Sequence, residues 1–122
     1  MAKKILIVDD EPDICQLVSE ALAEIGYEAI SAANGKEALE AASKNQLDLF
    51  ILDIYLPDTD GVVLYELLLG IPIYERTPII FLTALAHGTS PQLAGIHDTA
   101  YSILPKPTNF KEIQKEVMRL LA

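Results

Sequence analysis

Five residues spread along this chain have side chains suited to handling a phosphoryl group beside a hard cation: the pair Asp9-Asp10, then Asp53, Thr83 and Lys106. Each stands at or just beyond the end of an apolar run of strand length, such as Ile5-Leu6-Ile7-Val8 or Leu49-Phe50-Ile51-Leu52. A carboxylate in that place, as at Asp53, loses several kcal/mol (roughly) of hydration unless it is paired or bound to a metal. Three carboxylates drawn together repel one another by roughly 4 kcal/mol per pair at ~4 Å and an effective dielectric of ~20. A divalent cation relieves that repulsion, and an all-oxygen ligand set with room for water suits Mg²⁺, or Mn²⁺ in its place. In such a set Asp53 is a carboxylate nucleophile able to form an aspartyl phosphate. Lys106 and Thr83 add a positive charge and a hydroxyl donor for the phosphoryl oxygens. No histidine, cysteine or serine elsewhere assembles a rival nucleophile.

The elements that must position these residues follow from hydrophobic periodicity. Ile5–Val8 reads as a strand buried on both faces. Pro12 suits the first turn of a helix, whose apolar positions 14, 17, 18, 21, 22 and 25 recur at three and four until Gly26 stops it. Residues 27–32 form a weaker second strand, Asn34-Gly35 a turn, and residues 36–44 a short helix. A third strand covers 48–53 and a third helix runs from Gly61 to about Leu69. A fourth strand covers 78–82 and ends at Thr83. A helix is expected over 87–97 despite Gly88, Pro91 and Gly95. Residues 101–104 form a short fifth strand, and Phe110, Ile113, Val117, Leu120 and Leu121 mark a final amphipathic helix.

Five β-then-α units predict an α/β fold: a doubly wound parallel sheet with helices on both faces. Ligands of such sheets bind beyond the carboxyl ends of the strands, where all five residues named above fall. A chain of 122 residues with one cysteine and a formal net charge of −9 fits a single domain over 1–122 without an internal disulfide. Its acidity disfavours direct nucleic-acid or anionic-membrane binding and favours a cation or a basic partner. No apolar run reaches membrane-spanning length, and the N-terminus turns acidic too early for a secretory signal, so a cytoplasmic location is expected.

Several residues have plainer uses. Asp60 before Gly61 reads as a helix N-cap, and Asn34 as turn chemistry. His87 and His97 are not at ligand spacing and read as surface residues. Cys15 packs as a small apolar group. The third helix and the loop after it carry more apolar residues than one face needs: Val62, Val63, Leu64, Leu67, Leu68, Leu69, Ile71 and Ile73. They are either well buried or leave a patch for a partner.

Taken in order, ILIVDDEP, DIYLPDTDG, Thr83-Ala84 and Lys106-Pro107 resemble the receiver domain of two-component response regulators. The resemblance runs from Lys4 to Leu121. The spacings support it: 43 or 44 residues from the acidic pair to Asp53, and 30 from Asp53 to Thr83. It implies the flavodoxin-like sheet order 2-1-3-4-5 and a signalling domain of a phosphorelay that catalyses its own phosphorylation and dephosphorylation. Asp53 would then accept phosphate from a phosphohistidine on a sensor histidine kinase or a phosphotransfer protein. Asp10 and Asp53 would bind Mg²⁺ directly, Asp9 through water, and the Tyr55 backbone carbonyl would be a further ligand. Thr83, the Ala84 backbone and Lys106 would contact the phosphoryl oxygens. The output would reach a downstream effector protein or a fused output domain, with homodimerisation a further option.

The chain departs from the family pattern in four places. Leu56 stands where methionine is common, and Thr83 to Lys106 spans 23 residues, one more than usual. Ile103 occupies the switch-aromatic position, with Tyr101 two residues earlier on the same strand face. Pro105 holds Leu104 extended. A phosphorylation-independent receiver-like scaffold with an altered switch region is the alternative these changes keep open. A haloacid-dehalogenase-like phosphatase fits less well, since Tyr55 replaces the second acid it needs. An FMN binder fits less well too, since the loop 9–12 is acidic where phosphate would sit. Tyr55 and Leu85, each two beyond a site residue, are expected to shield a phosphoryl group from water and slow its loss.

Overall fold

Unbroken apolar runs become strands and three-four periodic segments become helices in the computed structural model, which describes residues 2–83, 101–106 and 108–122. In chain order these are β1 (Lys4–Val8), α1 (Pro12–Glu24), β2 (Glu28–Ala32), α2 (Gly35–Lys44), β3 (Leu49–Asp53), α3 (Gly61–Leu69), a 3-10 turn (Pro72–Tyr74), β4 (Ile79–Thr83), β5 (Tyr101–Pro105) and α4 (Phe110–Leu121). The strands form one parallel sheet in the order β2-β1-β3-β4-β5, as expected. The helix expected over 87–97, with Ala84, Leu85, both histidines and Pro107, lies outside the described residues.

The sheet separates two apolar layers. On one face Leu6, Val8, Phe50, Leu52, Ile79 and Phe81 pack against α2 and α3. On the other Ile5, Ile7, Leu49, Ile51, Ile80 and Leu82 pack against α1 and α4. All five residues of β3 and of β4 are buried, which is why those strands carry no alternation in sequence. Leaving α1, Gly26 takes φ +85°, a backbone region that favours glycine.

Two features are not expected from periodicity. The 3-10 turn after α3 buries Tyr74, whose hydroxyl lies 2.8 Å from the Ala42 carbonyl and 2.5 Å from that of Asn45. Its ring meets Phe50 edge-on at 5.3 Å. The apolar surplus of α3 divides: Val62, Leu64 and Leu68 are buried, whereas Val63, Leu67 and, beyond the helix, Ile73 are exposed. No helix among the described residues is long and apolar enough to cross a membrane.

Candidate functional site

The carboxyl ends of β1 and β3 deliver three aspartates to one place, because parallel neighbours share direction and register. Val8 pairs with Leu52, so the residues that follow, Asp9 and Asp53, end side by side. One carboxylate oxygen from each of Asp9, Asp10 and Asp53 lies within 4.8 Å of the others. Asp9 and Asp53 are buried, and Asp10 is exposed at the rim.

Lys106 closes the cluster from β5. Its ammonium lies 2.7 Å from Asp9 Oδ2, 3.0 Å from Asp53 Oδ2 and 3.2 Å from Glu11 Oε1, with only 7% of its side chain exposed. The Asp9 contact is a charge pairing without hydrogen-bond alignment. The Lys106 backbone N–H donates to the Thr83 carbonyl at 2.7 Å, fixing the base of the lysine to the end of β4. Thr83 itself is buried there.

Local hydrogen bonds orient the acids. Asp9 Oδ1 accepts from the Glu11 N–H at 2.9 Å, and Asp53 Oδ1 accepts from the Tyr55 N–H at 3.1 Å. Gly61, the first residue of α3, packs directly on the end of β3. A Cβ there would overlap the Asp53 carbonyl oxygen and come within 2.9 Å of Ile54 Cα. This contact explains the glycine beside Asp60, whose side chain caps α3 through the Val62 N–H at 2.6 Å.

Burial pushes the Asp53 carboxyl above its ordinary range, and the hydrogen bonds from Lys106 and Tyr55 recover only part of that shift. Burial alone would lower Lys106, but the Asp9 and Asp53 carboxylates outweigh it and hold the ammonium well above its usual range. Three carboxylates, of Asp9, Asp53 and Glu11, thus contact one ammonium, with Asp10 beside them. Among the described residues the Asp10 carboxylate has no hydrogen bond or ion pair with protein, and the local charge stays negative. This donor set fits a hard divalent cation.

The fold brings Asp9, Asp10, Asp53, Tyr55, Thr83 and Lys106 to one rim. Ile103 instead lies opposite Phe81 and packs against the α2–α3 core layer, and Tyr101, opposite Ile79, is exposed. Asn34 is the N-cap of α2, accepting from the Glu37 N–H at 2.9 Å. Cys15 is half-buried against the α1 core, its Sγ 3.4 Å from the Asp9 carbonyl. Burial, and then the Asp9 charge, push its thiol up. Glu11, which joins Lys106, was visible only as part of an acidic run. Asp58 carried no local signal for the contact it makes with α2, described below.

Comparison with known proteins agrees with this geometry. The family model described as the response regulator receiver domain matches residues 5–118. The chain is 34% identical over 98% of its length to a probable transcriptional regulator, ycf27, of Porphyridium aerugineum. It is 35% identical over 99% to the transcriptional regulatory protein SrrA of Staphylococcus aureus. It spans about half the length of these curated relatives, 48% of each. Among solved structures, the chemotaxis response regulator CheY4 of Vibrio cholerae superposes with a TM-score of 0.87 at 36% identity, covering 99% of this chain and all of that one. With the family model matched over nearly its whole length and the acidic rim in place, the chain belongs to the response regulator receiver domains of two-component signalling.

Proposed function

We propose that Asp53 is the phosphoacceptor of a single receiver domain over 1–122, taking its phosphoryl group from a phosphohistidine on a sensor histidine kinase or a phosphotransfer protein. The observation that carries this reading is the Lys106 ammonium, seated between the buried Asp53 and Asp9 carboxylates at 3.0 and 2.7 Å. A carboxylate oxygen of Asp53 attacks phosphorus in line with the P–N bond. That bond breaks, its electron pair returns to the imidazole nitrogen, and the acyl phosphate remains on Asp53. Lys106 stays protonated throughout and donates to a phosphoryl oxygen, with the Thr83 hydroxyl and the Ala84 backbone as further donors.

Asp10, Asp53 and the Tyr55 carbonyl would hold Mg²⁺ or Mn²⁺ directly, and Asp9 through water. When bound, the cation neutralises the carboxylates and takes up charge on the phosphoryl oxygens. Dephosphorylation returns the Asp53 carboxylate and inorganic phosphate when water attacks phosphorus, a step that Tyr55 shields. The charge change at Asp53 alters protein contacts with a downstream effector or a fused output domain, or between two copies of the chain. An acidic chain in a cytoplasmic phosphorelay makes these contacts with protein, not with nucleic acid or membrane.

Intact mass after incubation with a small acyl phosphate and Mg²⁺ tests the reading. The wild type is expected to gain one phosphoryl group, and Asp53→Asn, or the wild type in EDTA, none. A folded, cation-binding wild type that gains no mass would overturn it and favour the phosphorylation-independent scaffold.

A further inference from the structure

The loop between β3 and α3 is held at its base and at its tip by different means. At the base the Gly61 N–H donates to the Ile54 carbonyl at 2.7 Å, the Leu56 N–H donates to the Thr59 carbonyl at 3.2 Å, and Tyr55 bridges Asp60. At the tip Asp58 reaches another helix altogether. Its Oδ1 accepts from the Gly35 N–H at 2.8 Å and its Oδ2 from the Lys36 N–H at 3.1 Å.

Those are the first two amides of α2, and a helix start leaves such donors without partners inside the helix. Asn34 takes the third, Glu37. Capping of α2 is therefore divided between a local residue and a carboxylate more than twenty positions away. The approach is close: a Cβ on Gly35 would lie 2.7 Å from Thr59 Cγ2 and 3.3 Å from Asp58 Oδ1. The Gly35 amide outweighs burial and, with the Lys36 amide, holds the Asp58 carboxyl below the usual carboxylate range, so it is charged at neutral pH.

Tyr55, in the base, joins the loop to the acidic rim. Its N–H orients Asp53 Oδ1, and its carbonyl is the backbone oxygen assigned above to the cation. We infer that Asp58 is a positioning residue for the phosphoacceptor site: by docking the loop onto the start of α2 it fixes the Tyr55 backbone that aims Asp53 and offers a ligand to the cation. The inference rests on the phosphoacceptor reading above.

The test is cation affinity, measured with Mn²⁺ by its paramagnetic signal and with Mg²⁺ by calorimetry, so that phosphorylation is not the readout. Asp58→Ala is expected to weaken binding about tenfold, the low end for outer partners of a metal ligand. Asp58→Asn, which keeps one acceptor oxygen, is expected to fall between. Asn34→Ala is the control for mere fraying of α2: it removes the local cap, lowers stability and leaves cation affinity unchanged. Equal weakening by Asn34→Ala and Asp58→Ala would overturn the inference, as would unchanged affinity in a folded Asp58→Ala. A wild type that binds the cation yet takes no phosphoryl group would overturn the phosphoacceptor reading instead.

Discussion

Strands β3 and β5 flank β4 but are built in opposite ways. Strand β3 buries all five residues and ends on Asp53, with α3 pressed against the carbonyl of that residue. Strand β5 buries Leu104 alone and leaves Tyr101 and Pro105 exposed. The Asp53 backbone is thus held between β4 on one side and the start of α3 on the other. The switch position stands where half the strand is open, and it holds Ile103, which packs into the core layer and has no polar tip to exchange between inside and outside. Asp53 and Ile103 thus differ in how completely the rest of their strands is covered.

The sharpest way to break that contrast is phosphoryl uptake. Asp53→Asn is expected to abolish it, whereas Tyr101→Ala leaves it intact by intact mass; loss in both would erase the distinction. Stability is the next test. Phe81, fully buried and edge-on to Tyr65 at 5.8 Å, is expected to cost about 3–5 kcal/mol on replacement by alanine in urea titrations. Tyr101→Ala is expected to stay within about 0.5 kcal/mol.

A smaller effect concerns pH. The folded protein raises the Asp53 carboxyl above its unfolded value, so the folded state binds more protons across that interval and loses stability as pH rises through it. Asp53→Asn removes the penalty. Without bound cation it is expected to be more stable than wild type at neutral pH in urea titrations, with the gap closing as the solution is acidified below the raised range. The smallest effect belongs to β5. The Ser102 hydroxyl donates to Glu116 Oε2 at 2.7 Å, and Ser102→Ala is expected to cost about 1 kcal/mol or less by thermal melts.

Much of this was legible in residue order. Buried parallel strands show as unbroken apolar runs, and the family's site residues sit at their ends, so Asp9, Asp10, Asp53, Thr83 and Lys106 could be grouped before any coordinates. Among the described residues the bounds of the expected elements agree to within one residue, helped by Pro12, Gly26, Asn34 and Asp60, which punctuate them chemically. What escaped depends on partners distant in sequence. Tyr74 sits in a single 3-10 turn, too short to carry a period, and its hydroxyl partners lie 29 and 32 residues away. Asp58 lies 23 residues from Gly35, whereas capping signals are read locally, three residues at a time. The division of α3 into buried and exposed apolar residues depends on which neighbours cover it, and composition does not encode that. Pro105 proved compatible with a strand because β5 ends the sheet order, where proline is tolerated.

The backbone of Lys106 is tied to Thr83 on β4, and its ammonium spans to Asp53 on β3 and to Asp9 beyond β1. It therefore works as a keystone. Three neighbouring strands, already paired along their length, share one further tie at their open rim. A change of charge at Asp53 is expected to be felt at Asp9, because the two carboxylates share one ammonium.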